Sequence, residues 1–313
     1  MKYFIRKIVG LFVTIILVSL VTFGVFQILP GNPAYIILGV DADPLQIEAL
    51  TESLGLDLPL YQRYFNWVKG VLQGDLGTSI RYQQPVSELI ASGLEVTAGL
   101  TVMSMILTVA IGVPIGIWLA GHSEKKYSVG VSMLSQLSLS IPSFCMGIFL
   151  INIFSVQLKW FPTISYVSWS EDPLGSIRSL FLPALSISLG SSATLIRYIK
   201  VSVTNQKEQD YVRTAYSKGL NKRQVMYGHV LRNSMIPVVT ILGMTVADIL
   251  GGSIIVENIF SLPGIGRLIS VSINSRDLPL IQGLVLYLAV IVVICNFVVD
   301  IVYSLIDPRI RVK

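Results

Sequence analysis

Few side chains in this sequence could carry covalent chemistry. The only histidines, His122 and His229, and the only cysteines, Cys145 and Cys295, stand apart in no recognisable metal-ligand spacing. No Gly-Lys dipeptide occurs, so there is no phosphate-binding P-loop, and neither His-Glu-x-x-His nor Gly-x-Ser-x-Gly is present. An enzyme active site, a metal site and a cofactor site all lack a visible carrier. What stands out is different in kind. Asp248 lies about halfway along an apolar segment, where an ionised carboxylate costs about 2.5–3.5 kcal/mol on insertion scales. A residue so placed faces a cavity or a partner. The second feature is a polar, basic island over residues 200–233, flanked on both sides by apolar segments.

The elements that hold them belong to a membrane. Of 313 residues, 53% are hydrophobic and 13% charged, against about 25% charged in soluble domains. Mean hydropathy is +0.71. A soluble fold of this composition would have too few polar groups to cover its surface. Lys2, Arg6 and Lys7 precede an apolar run from about Ile8 to Leu29, which ends in Pro30-Gly31-Asn32-Pro33. The run exceeds the roughly 7–15 residues of a signal-peptide core, and predicts an uncleaved first spanning helix. Residues 30–95 are polar and acidic and read as an extracytoplasmic lobe with two helices. Asp43 and Pro44 start the first and Gly55 stops it; Leu60, Tyr64, Trp67, Val68, Val71 and Leu72 mark the second, which Gly74 ends.

Five further spans follow, giving an all-α polytopic frame with six transmembrane helices. They lie at about Thr97–Ala120, Val129–Leu158, Leu180–Ile199, Ser234–Val256 and Leu280–Leu305. The second holds Gly112, Pro114 and Gly116, which suit a close helix contact and a kink. The third is interrupted at Ser140-Ile141-Pro142-Ser143, and Trp160 and Trp169 after it suit a membrane interface. In this frame the N-terminal tip, the 122–126 loop, the 197–232 stretch and the tail hold 16 of the 23 Lys and Arg. The other side holds 12 of the 18 acids. The positive-inside rule makes the basic face cytoplasmic and puts both termini there. Topology thus accounts for the net charge of +5, and a nucleic-acid partner loses its support.

Within the island, Asp210 is placed to cap a short helix over Tyr211–Lys218, and Gly219 is its natural stop. Asn221 starts a second short helix with Gln224 as its capping-box partner. The expectation is helix–glycine–helix along the membrane surface, tied at both ends to spanning helices, with Tyr211, Ala215 and Tyr216 offering a face to a partner. A plainer reading is a basic juxtamembrane loop on acidic lipid head groups, and composition leaves both open.

The spacing resembles the EAA motif of ABC-importer permeases, in which Glu-Ala-Ala is followed after three residues by Gly and after nine more by Ile-x-Leu-Pro. Arg213-Thr214-Ala215 fill the first places, Gly219 the glycine, and His229, Leu231 and Arg232 the ending. Ala215, Gly219 and Leu231 match; Arg213, Thr214, His229 and Arg232 depart. The departures resemble the dipeptide, oligopeptide and nickel branch, with Lys218-Gly219-Leu220 and His229-x-Leu231-Arg232-Asn233 up to Pro237. Gly55–Leu60 through Gly74–Ser79, Val256–Arg267 and Asp307-Pro308-Arg309 are similar to the same branch. The resemblance thus covers the chain end to end.

It implies a coupling helix between spans four and five, carried by Tyr211, Arg213, Thr214, Ala215, Tyr216, Gly219, Leu220 and Leu231. It also implies partners: a second similar permease, one or two cytoplasmic ABC ATPases, an extracytoplasmic solute-binding protein and the surrounding lipid. No cofactor is implied on this chain; ATP is hydrolysed elsewhere. The domains are expected at 1–29, 30–95, 96–305 and 306–313. On the translocation path, Asp248 is a candidate to meet a cationic group such as a peptide amine or a metal complex, or else makes a helix–helix hydrogen bond, or sits protonated, near the subunit interface. Ser140, Pro142 and Ser143 either open backbone carbonyls to a cavity or form an ordinary proline kink. Glu257, just outside the fifth span, is a gate or docking residue, or a solvated loop acid. Asp300 reads as structural. Peptide and chelated nickel both remain open as cargo. The rival from another class is a stand-alone secondary transporter, which would want two related halves; no internal repeat is seen.

Overall fold

The computed structural model describes residues 2–28, 35, 38–39, 43–53, 55–122, 125–162 and 166–306. The Pro30-Gly31-Asn32-Pro33 end of the first predicted span, Glu124 and the Asp307-Pro308-Arg309 tail lie outside the described residues, as does the side chain of Asp300. In chain order the helices are α1 Lys2–Ile28, α2 Pro44–Ser53, α3 Leu60–Leu72, α4 Val86–Gly121, α5 Lys126–Ser140, and α6 Ser143–Leu150, continued by a π-helical stretch Ile151–Gln157. Then come α7 Pro173–Lys207, α8 Asp210–Ser217, α9 Lys222–Val225, a second π-helical stretch Met226–Val230, α10 Leu231–Ile259, α11 Ile265–Asn274 and α12 Leu278–Ile306. Among the described residues there is no strand, only an isolated bridge between Thr78 and Pro85.

The all-α class and the membrane frame hold. Five helices among the described residues are long and apolar enough to cross a membrane, and α5 with the α6 segment supplies a sixth crossing if the pair is one span. That pair breaks where the interruption is expected, at Ser140–Ser143, and more sharply than an ordinary kink. Its halves meet at 102°, far beyond a proline kink, because Ile141 (φ −91°, ψ 119°) and Pro142 (φ −56°, ψ 142°) are both extended. Pro142 disfavours helical backbone at Ile141 before it, and so separates the two helices. The spans are also longer than their apolar cores. The 36 residues of α4 extend about 54 Å, well beyond a hydrocarbon layer of about 30 Å.

The chain divides into two compact units, residues 1–96 with 264–294, and residues 97–263 with 295–313. In the first, α1 packs on α3: the hydroxyls of Ser19 and Tyr64 are 2.8 Å apart, and Phe23 meets Tyr64 edge-on at 5.4 Å. Asp43 caps α2 as expected, accepting from the Leu45 amide at 3.1 Å. Gly55 (φ 62°) and Gly74 (φ 82°) take the left-handed conformation that ends their helices. A core of Val86, Leu89, Ile90, Ile265, Leu280 and Leu284 joins the start of α4 to α11 and α12. α11 fills part of the interval between the fifth and sixth predicted spans.

In the second unit α4 and α7 approach closely at the two glycines predicted for such a contact. A methyl group on Gly112 or Gly116 would come within 2.8 Å of Leu195 or Ile199. Gly243 of α10 is pressed against Val299 of α12 in the same way. Small residues at these crossings allow backbone approach, which drives helix association in lipid.

Candidate functional site

The island folds largely as its caps dictate, with two differences. Asp210 is the first residue of α8 rather than its cap; the cap position is Gln209, whose side chain makes no capping bond. The Asp210 carboxylate instead favours the positive helix start and lies 3.8 Å from Arg213, both highly exposed. At the other end Gly219 (φ 83°) donates to the Tyr216 carbonyl at 2.9 Å and Leu220 donates to the Ala215 carbonyl at 3.3 Å. These two bonds make a complete Schellman stop, which needs the left-handed glycine. Asn221 and Gln224 form the reciprocal capping box. The helix they start is the second difference. α9 runs through the π-helical stretch into α10 as one apolar rod, Lys222–Ile259, instead of lying separately on the surface.

α8 is amphipathic, and its apolar side faces inward. Val212 and Ala215 are buried in a core with Ala120 of α4, Leu195, Ile199 and Val203 of α7, and Val225, Val230 and Val238 of the rod. Tyr211, Leu220 and Leu231 pack against the same core, and the Tyr211 hydroxyl donates to Gln206 at 2.8 Å. Ala215 and Tyr211 therefore hold α8 to its own chain. Arg213, Thr214, Tyr216, Ser217 and Gly219 are exposed. Lys207, at the end of α7, donates to the Ala120 carbonyl, occupying an acceptor that the end of α4 leaves open. The outward face of α8 is thus polar, and its inward face meets α4, α7 and the rod through buried contacts.

The path candidates do not gather in one place. Asp248 is exposed on α10, on a face shared with Met244, Gly251 and Ile255, and has no hydrogen bond or ion pair among the described residues. Ser140 is exposed and donates back to the Gln136 carbonyl at 3.2 Å; Pro142 is exposed and Ser143 half-buried. Ser143 faces Gly252 of α10, one turn beyond Asp248. Glu257 lies inside α10, with 0% exposure, and accepts from the Thr97 hydroxyl at 2.8 Å. It is neither a loop acid nor solvated; the helix runs past it to Ile259.

Two features escaped sequence reasoning. Asp277 is completely buried and accepts from the Ser79 hydroxyl at 2.5 Å, the Arg81 amide at 3.1 Å and the Leu280 amide at 3.3 Å. Its signal was present, since an Asp just before Leu-Pro and an apolar run is a helix start. The π-helical stretch at Met226–Val230 had none. It turns Gly228, His229, Arg232 and Asn233 toward an open polar hollow. Among the described residues no group of three or more His, Cys, Asp or Glu converges as a metal site would require.

Comparison with known proteins decides what this architecture is. The family described as "Binding-protein-dependent transport system inner membrane component" matches residues 112–312, and its N-terminal companion matches residues 1–101. The chain belongs to this family of ABC-importer permeases. The permease is 38% identical over 314 residues, the whole of both chains, to the glutathione transport system permease protein GsiC of Escherichia coli (strain K12). It is 38% identical over 296 residues to a peptide transport system permease protein of Brucella abortus (strain 2308), covering 95% of this chain and 94% of that one. These relatives place it in the peptide branch. Its fold is similar to a chain of the MetNI methionine ABC transporter in an inward-facing conformation, with TM-score 0.57 at 15% identity over 70% of this chain and 96% of that one. A second likeness is to an amino acid ABC transporter solved with histidines, with TM-score 0.53 at 19% identity over 71% and 94%.

Proposed function

We propose that this permease forms one half of the translocation path of an ATP-driven importer of short peptides, glutathione-like tripeptides included. The observation that carries the proposal is α8: an exposed polar face on a short helix whose other face is locked into the membrane core by Val212 and Ala215. A partner that grips Arg213, Thr214, Tyr216 and Ser217 moves α4, α7 and α10 with it. Because the chain carries no P-loop, the ATPase is a separate subunit docking on this face. A second, similar permease completes the path, and a solute-binding protein delivers cargo from outside. Asp248 and its neighbours Met244 and Gly251 line the path or its seam with the second permease, where the carboxylate meets a peptide amine. The basic face, with both termini, is cytoplasmic.

Peptide is proposed over nickel because the two relatives above are named for peptide and glutathione transport. Membership in an importer family removes the reason to invoke a stand-alone secondary transporter. The decisive experiment is gentle purification of the tagged chain with mass spectrometry of its companions, followed by uptake assays in vesicles. The expected companions are a second permease and one or two P-loop ATPases, with peptide uptake that needs ATP. A chain that purifies alone and transports without ATP would overturn the proposal.

A further inference from the structure

A groove of ≈ 320 Å³ runs between α5 and α7 in the second unit. α5 begins and α7 ends on the basic side, so the two helices supply opposite gradients along the groove. Its deeper end is apolar, with Leu139, Ala193 and Ile196. Its shallower end is polar and cationic, with Ser132, Arg197 and Lys200, and no acid lines any part of it. Ser132 accepts from the Lys200 ammonium at 3.5 Å. Arg197 stacks beside Tyr198 at 5.7 Å. Neither cation has an ion pair among the described residues.

The depth of these cations is informative. Arg197 and Lys200 fall at the inner end of the apolar part of α7, near Leu180–Ile199, about 6 Å and 10 Å along the helix from Ala193. That is the head-group level of the inner leaflet, where long cationic side chains reach for phosphate. A groove that is apolar toward the bilayer centre and doubly cationic at head-group level repeats the amphipathic order of a lipid, with the charge inverted to complement it.

We propose that this groove holds one inner-leaflet anionic phospholipid, its phosphate between Arg197 and Lys200 and the upper part of an acyl chain along Leu139, Ala193 and Ile196. The inference rests on the cytoplasmic placement of the basic face, which reporter fusions test separately. Seated against α5 and α7, the lipid braces the bent pair against a helix that also anchors α8, so lipid composition tunes the moving part.

The test uses the full-length permease in phosphatidylcholine nanodiscs doped with photo-crosslinkable phosphatidylglycerol, with adducts mapped by peptide mass spectrometry. Adducts are expected to concentrate in residues 132–139 and 193–200. The double variant Arg197→Gln/Lys200→Gln should reduce them by about tenfold or more, while Lys125→Gln/Lys126→Gln, which removes the same charge from the same side, leaves them in place. Monodisperse elution of each variant checks folding, and Arg197→Lys should retain the adducts. Equal labelling by a phosphatidylcholine probe, or equal loss in the Lys125/Lys126 variant, would overturn the proposal. So would displacement of the lipid by glutathione, which would make the groove a site for anionic peptide.

Discussion

Buried carboxylates are the most consequential single residues here. Asp277 sits with 0% exposure and receives three donors, from Ser79, Arg81 and Leu280, so its removal strands polar groups that water cannot reach. Asp277→Ala should destabilise the permease by about 1–3 kcal/mol, read as a lower thermal midpoint in detergent. Asp277→Asn, which keeps an acceptor, should cost less, and Ser79→Ala should shift the midpoint the same way by a smaller amount. A silent Asp277→Ala would mean that these bonds contribute nothing net. Reading the sequence found the polarity of such residues but not their burial. By type and position Asp277 is only one acid of the less basic side, and Glu257 is a gate or docking residue or a solvated loop acid. A carboxylate's pairing depends on what folds against it, and Ser79 is distant in the chain from Asp277.

At the scale of elements, local sequence did well at most caps and stops, Asp210 excepted. Gly219, the Asn221–Gln224 box, Asp43, Gly55 and Gly74 act as their types require. It did less well on how far each helix runs. Apolar length marks the part inside the bilayer, whereas α4, α7 and the rod extend past it on polar residues with no stop signal. Nor does residue type say which face of a short helix turns inward; Ala215 was read as outward and is 6% exposed. Its burial sharpens the expected effect. Ala215→Leu forces three extra heavy atoms into a filled core, a change that typically costs about 1–3 kcal/mol, and lifts α8 from its seat. Gly219→Pro is incompatible with φ 83° and removes the amide that binds the Tyr216 carbonyl. Both variants should insert normally, bind the ATPase weakly and lose peptide uptake while basal ATP hydrolysis persists. Gly219→Ala, with open space around the position, meets only conformational strain of about 1–2 kcal/mol and should lose less uptake. Full uptake in Ala215→Leu and Gly219→Pro would remove α8 from the coupling route.

For the whole molecule, the side on which each later loop lies turns on the bent pair. If α5 and the α6 segment cross the membrane together, residues 166–172 are outside and residues 210–224 are inside. If the pair re-enters on its own side, those assignments invert and the basic island is exported. Charge decides the expectation: the 197–232 stretch holds eight Lys and Arg, which resist translocation. Alkaline phosphatase fused after Trp169 should be active, and after Lys218 inactive, with a cytoplasmic reporter showing the reverse. Activity of the phosphatase at Lys218 would overturn both the topology and the proposed ATPase contact.

Composition, charge asymmetry and the punctuation of glycine, proline and capping residues determined by themselves that this is an all-α membrane protein with a basic loop between two long apolar helices. Those properties follow from the cost of leaving backbone or charge unsatisfied in lipid, and that cost is paid residue by residue along the chain. Only the tertiary structure decided the rest: the 102° turn at Ile141-Pro142, the burial of Glu257 and Asp277, the inward face of α8 and the cationic groove beside α7. Each depends on which helices meet, and helix contacts in a membrane are set by close packing between distant segments, which one-dimensional hydropathy does not record.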